Sequence, residues 1–180
     1  MTPLGPTLAT ERLILRPPLR EDFDAFAGFC ADETLMLHLG GAQPRPVAWR
    51  TFLSAAGSWA VQGFGMFSVV EATSGRWVGR IGPIHHVDWP GTEVGWGLIR
   101  ETQGRGYAVE AASAVMDWVV DHLRWTEIVH TIDAENTPSQ RVAKALGSRI
   151  LRTATLPPPI EQGEVDVWGQ SADEWRARRR

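Results

Sequence analysis

The chain has 180 residues, 43% of them hydrophobic, which is enough to bury one sizeable core and short for two. Its 18 basic and 21 acidic side chains leave a net charge of −3, so no global charge drives it toward nucleic acid or an anionic membrane. The single cysteine, Cys30, excludes an internal disulfide framework and fits a reducing compartment.

No apolar run reaches membrane-spanning length, and the opening MTPLGPTLATERL lacks a charged segment followed by an apolar core. The expectation is one cytoplasmic domain over residues 1–180. Residues 8–15 read as a first strand ended by Pro17-Pro18, which cannot continue a ladder. A helix follows from Arg20, Glu21 or Asp22 to about Asp32, with Phe23, Phe26, Ala27 and Phe29 at helical spacing. Gly40-Gly41, Pro44 and Pro46 punctuate, and residues 47–62 read as a second helix carrying Trp49, Phe52 and Leu53. Residues 63–72 and 76–84 form a hairpin about the turn Thr73-Ser74-Gly75. Next comes a loop with His85, His86, Asp88 and Trp89. Adjacent residues tend to point apart and no cysteine or further histidine completes a shell, so no metal is expected there.

The informative stretch starts at Glu93. Residues 93–99 alternate as a strand, with Glu93, Gly95, Gly97 and Ile99 on one face and Val94, Trp96 and Leu98 on the other. Two glycines on the Glu93 face suggest that an extended ligand lies against bare backbone. The strand leads into Gln103-Gly104-Arg105-Gly106-Tyr107-Ala108 and a helix with Ala111, Ala112, Val115, Trp118 and Val119 on its buried face. A strand, a glycine loop and a helix N-terminus in succession leave unpaired N–H groups that can hold a phosphate. The nucleoside-triphosphate loop is excluded, because Tyr107 and Ala108 stand where Lys and Ser or Thr are required. The dinucleotide fingerprint is excluded by Val109 in place of its last glycine.

Residues 126–133 read as a strand with His130 inside it as a satisfied residue. Thr137 is expected as the cap of a helix, with Pro138 at its first position, Gln140 completing a capping box and Gly147 as its stop. Two closing strands, 148–155 and 164–168, flank Pro157-Pro158-Pro159. Arg176, Arg178, Arg179 and Arg180 read as a solvated or disordered end. The order of elements suits a mixed sheet flanked by helices.

Gln103, Gly106 and Ala108 satisfy the pattern Q/R-x-x-G-x-G/A. With this motif the chain resembles the GCN5-related N-acetyltransferases (GNAT), in particular the RimJ/RimL-like branch, and the order of elements agrees along nearly the whole length. The resemblance implies an α/β (α+β) fold whose mostly antiparallel sheet has about seven strands, flanked by about four helices. It implies acetyl-CoA as co-substrate, with its pyrophosphate on the backbone of Gln103, Gly104, Arg105, Gly106, Tyr107 and Ala108. The pantetheine arm would run beside Leu98 and Ile99 and touch Asn136 and Ser139, an N-x-x-S pair. Glu93 is the expected base, since a partly desolvated carboxylate can rise into the useful range. A backbone N–H at a strand bulge would serve the oxyanion. Relatives often place a tyrosine near the sulfur, but Tyr107 is the only tyrosine and lies in the loop, so Ser139 or water is left for the thiolate. Trp49, Trp89 and Trp96 fall in segments that border the acceptor site in the family. The acceptor implied is a primary amine, on a peptide N-terminus or a small molecule, and a homodimer is compatible with the branch. The alternative is an acyl-CoA-binding sensor or subunit without catalysis.

Overall fold

The computed structural model describes residues 4–158, 160 and 163–180. Pro159, in the expected proline loop, lies outside the described residues. The first predicted strand is interrupted by a turn, giving β1 (Leu8–Ala9) and β2 (Leu13–Arg16). A short 3-10 turn, Arg20–Asp22, runs into α1 (Phe23–Ala31), followed by α2 (Glu33–Met36) and α3 (Arg45–Gln62). α2 is an addition to the sequence reading, capped by Asp32, whose carboxylate accepts from the N–H groups of Thr34 and Leu35. Then come β3 (Phe67–Glu71), β4 (Trp77–Ile84), β5 (Glu93–Leu98), α4 (Tyr107–Asp121) and β6 (Glu127–Ile132). α5 (Thr137–Ala145), β7 (Arg149–Thr155), β8 (Glu164–Ser171) and α6 (Ala172–Arg179) close the chain.

Eight strands form one sheet in the order β1-β2-β3-β4-β5-β6-β8-β7, one more strand than expected because the first is split. Every pairing is antiparallel except β5 with β6. α4 packs its Ala111, Val115 and Val119 face onto one side of the sheet, among Leu13, Val69, Ile81 and Val94. On the other side, α1 and α3 bring Phe23, Phe26, Phe29 and Phe52 against Trp77.

Two sequence expectations are corrected here. The cap of α5 is Asn136, whose Oδ1 accepts from the Ser139 N–H at 3.1 Å, so Thr137 sits one step inside the helix. Gln140 does not complete a capping box; its amide donates to Ala134 O at 2.8 Å. The arginine-rich end is not a loose tail but α6, begun by a Ser171–Glu174 capping box and anchored by buried Trp175. Arg179 pairs with Asp117 at 2.7 Å and Arg178 donates to Ala145 O. Alternation and arginine content hid this because only one apolar anchor marks the helix.

Candidate active site

Glu93 opens β5 and is 5% exposed. Pairing with Ile84 on one side and Val129 on the other fixes its backbone, and its side chain lines a cavity of about 790 Å³. Thr131 Oγ1 donates to Oε2 at 2.8 Å and Trp89 Nε1 donates to the same oxygen at 2.6 Å. Among the described residues Oε1 receives no side-chain donor, and it lies over Gly95, where a Cβ would stand 3.3 Å from it. Burial pushes the carboxyl up to about 7, outweighing the lowering effect of the Trp89 and Thr131 donors.

Beyond the Glu93–Val129 pair, the ladder between β5 and β6 ends. Ile99 N–H donates to Val78 O, so by the alternation of a strand the polar backbone groups of Val94, Trp96 and Leu98 point the other way, toward the parting strands. Two of those carbonyls are occupied by side chains: His130 meets Val94 O at 2.7 Å and Gln103 Nε2 donates to Leu98 O at 3.3 Å. Because a carbonyl only accepts, His130 carries its proton on Nδ1. Its Nε2 then accepts from Ser148 Oγ at 3.1 Å, and Ser148 accepts from Gln170 Nε2 at 3.0 Å. Burial holds His130 down to about 4, so it is neutral at physiological pH. It is the satisfied strand histidine expected from the sequence.

A second cavity of about 550 Å³ runs from this opening past Leu98 to Gly104, Gly106 and Ala108. Gly104 and Gly106 have φ of 76° and 79°, the left-handed region in which other residues are strained. The first amide of the loop region to find a helical partner is that of Glu110, bonded to Gly106 O. The N–H groups of residues 104–109 have no hydrogen-bond partner among the described residues. A run of free donors at the positive end of a 15-residue helix fits a diphosphate. The two cavities share His38, Leu39, Trp96, Asn136 and Ser139. At this junction Trp96 Nε1 donates to Ser139 Oγ at 3.3 Å, which leaves the Ser139 proton free to donate.

Several expected contacts take other forms. Ile99 is turned to β4, and its carbonyl accepts from Thr102, so neither of its backbone groups faces the opening. Tyr107 buries its ring and donates to Glu71 Oε1 at 2.7 Å, and Arg105 also turns toward Glu71, at 3.9 Å. The Tyr107 side chain is thereby committed, whereas that of Arg105 is more than half exposed. Between β4 and β5 the register is regular, without the expected bulge. Gly97 lines the second cavity, and a Cβ there would stand 2.8 Å from Phe29 Cζ, so the glycine also makes room for α1. Trp49 packs against Phe23 and Phe52 away from the cavities, whereas Trp89 and Trp96 line them.

The comparisons with known proteins agree with this geometry. The model of the acetyltransferase (GNAT) domain matches residues 12–149. The chain belongs to the GNAT acetyltransferase family. The GNAT chain is 39% identical over 57 residues to the uncharacterized N-acetyltransferase YnaD of Bacillus subtilis, a match covering 32% of this chain and 34% of that protein. The acetyltransferase of Agrobacterium tumefaciens superimposes with a TM-score of 0.79 at 33% identity, over 92% of this chain and 94% of that one. RimJ of Mycobacterium smegmatis, solved with CoA-disulfide, shares the fold at a TM-score of 0.75 and 19% identity, over 97% and 91% of the two chains.

Sequence reading missed Thr131, His38 and Arg80 of the candidate site, and it named Trp89 without its partner. Thr131 and Trp89 were not linked to Glu93, because the bonds join β6 and the preceding loop to β5. His38, with Nδ1 at 3.2 Å from Asp133 Oδ2, stands at the cavity junction and comes from the segment after α2. Arg80 lines the larger cavity from β4. His85 and His86 line it too; His86 packs edge-on to Trp89, and burial lowers its pKa. Among the described residues, no group of three or more His, Cys, Asp or Glu could hold a metal ion. No helix of the described residues is long and apolar enough to cross a membrane.

Proposed function

We propose that residues 1–180 work as one acetyltransferase domain that transfers an acetyl group from acetyl-CoA to a primary amine by direct attack in a ternary complex. The observation that carries this reading is the meeting of two cavities at Trp96 and Ser139, with Glu93 lining one and the unpaired amides of residues 104–109 facing the other. Acetyl-CoA supplies the activated thioester. The amides of residues 104–109 hold its diphosphate, and the backbone of Trp96 and Leu98 flanks the pantetheine arm together with Asn136. Glu93, titrating near neutrality, takes a proton from the incoming ammonium through Oε1 and delivers a neutral nucleophile. The Trp96 N–H on the open side of β5 is placed to receive the developing oxyanion. Ser139 donates a hydrogen bond to the departing thiolate, since no tyrosine reaches the junction, and the thiolate leaves as the free thiol of CoA by taking up the second proton that the attacking nitrogen loses, directly or through water.

The acceptor class is a small amine or a peptide N-terminus. Calorimetric titration with acetyl-CoA tests the cofactor half: saturable binding to the native protein and none to Gly106→Trp is expected, and no binding to the native protein overturns the reading. Thiol release with a broad amine panel tests the catalytic half. Binding without any turnover would favour an acyl-CoA sensor instead.

A further inference from the structure

Arg80 lies on β4, opposite Gly97 of β5 and Ser68 of β3. Its guanidinium carbon sits 5.6 and 5.8 Å from the ring centroids of Phe26 and Phe29. Nε is sealed from solvent and has no hydrogen-bond partner among the described residues. Among the described residues no carboxylate lies within ion-pairing distance of Arg80. Asp22, the buried carboxylate on this face, is already occupied. Arg16 holds it with two nitrogens at 2.7 and 2.9 Å, and it accepts as well from Ser68 and from the Leu19 N–H. Cys30 lies near Arg80, but burial pushes the thiol up, so it stays neutral and is no counter-ion.

A guanidinium with one N–H sealed from water, no carboxylate partner among the described residues and its remaining nitrogens turned to a cavity costs stability and is rarely kept without a use. The cavity it lines is short of negative charge. Arg50, His38, His85 and His86 also border it, and Glu93 is the only carboxylate among its described lining residues. Glu93 and Arg80 share a face of the sheet, because Glu93 pairs with Ile84, Arg80 with Gly97, and both intervals are even. Four residues of extended strand separate them, roughly 13 Å, and both side chains reach into the same space.

We propose that Arg80 is an anion subsite of the acceptor cavity, so that the acceptor is an amine carrying a carboxylate or phosphonate several bonds from its nitrogen. The inference rests on the acetyl-transfer reading above and names the acceptor class for it. The anion lies against the fork of Arg80, on a cavity that Arg50 also borders, which orients the amine toward Glu93.

The test is acetyl transfer, followed by thiol release, to paired acceptors: β-alanine and β-alaninamide, γ-aminobutyrate and its amide, with 3-aminopropylphosphonate as the phosphonate arm. The anionic member is expected to lead by about tenfold or more in kcat/KM. Arg80→Gln is expected to collapse that ratio toward one through KM, and Arg80→Lys to keep part of it. Because the variant removes an unpaired charge, its Tm is expected to equal or exceed the native value, whereas a packing role would lower it. Calorimetric titration of γ-aminobutyrate into the CoA-saturated protein gives a readout without turnover, with binding lost in Arg80→Gln. The proposal is overturned if the native protein shows no preference and binds no γ-aminobutyrate, or if Arg80→Gln slows both members of a pair alike. A native protein that binds acetyl-CoA yet fails these tests breaks this inference alone; one that binds no acetyl-CoA breaks the reading beneath it.

Discussion

Glu93 and His130 stand on the two strands that part at the candidate active site, and both are buried, at 5% and 1% exposure. Desolvation acts on each in the direction that favours its neutral form, bringing the carboxyl up to about 7 and the imidazole down to about 4. Their use of lone pairs separates them. Both nitrogens of His130 are committed, to Val94 O and Ser148 Oγ, so it has nothing left to offer a substrate. The side-chain donors to Glu93 gather on Oε2, and Oε1, beside Gly95, takes none among the described residues. Burial tunes a group, and the count of remaining lone pairs decides whether it can react.

The largest effect expected from this contrast is on turnover. Glu93→Gln keeps the shape and the acceptor for Trp89 and Thr131 but cannot take a proton, and kcat is expected to fall on the order of 10²–10⁴-fold. A variant of near-native rate would break the contrast by making Glu93 as inert as His130. His130→Ala strikes the other side. It leaves Val94 O without its donor and opens a void, so a loss of about 3 kcal/mol in urea unfolding is expected. Unchanged stability with lost turnover would instead give His130 a catalytic role.

The same Glu93→Gln variant carries an opposite effect on stability. Since the folded carboxyl titrates near 7 and the ordinary value is 4.5, the folded state binds more protons than the unfolded state between those values. Native stability is therefore fullest below about 4.5 and declines as pH rises toward 7. Removing the titration is expected to stabilise the ligand-free protein by up to about 3 kcal/mol at pH 8 and to change little near pH 4.5. Parallel unfolding curves at the two pH values check it. The native rate should follow the other limb, rising with pH to a plateau above about 7. The smallest effect concerns one donor. Trp89→Phe removes a hydrogen bond that favours the charged carboxylate, so the midpoint of the rate profile is expected to move up by about a unit or less.

Glu93 was legible as a candidate because a lone carboxylate begins an alternating strand ahead of a glycine loop. Its state was not legible, because the donors that set it come from Trp89 and Thr131, one in the loop before and one on a strand 38 residues on. Gly97 was read as room for a ligand; it lines the second cavity, and its missing Cβ also makes room for Phe29 of α1. Tyr107 lies in the glycine loop, yet its side chain is committed to Glu71 at the end of β3, a contact that local pattern does not show. The terminal arginines were read by charge alone, while a single tryptophan docks them as a helix.

What the sequence determined by itself is local. The glycines that permit left-handed backbone at 104 and 106, the apolar stripe of α4 and the alternation of β5 all follow from φ, period and the first free amides of a helix. What only the tertiary structure decided is which charged groups lose water and which partners they find. Arg16 and Arg80 are the same residue type on neighbouring parts of one sheet. One meets Asp22 and is neutralised, while the other faces two phenylalanines and a cavity. Periodicity acts over a few residues, but desolvation and pairing depend on atoms brought together from distant parts of the chain, and there the chemistry of this molecule was set.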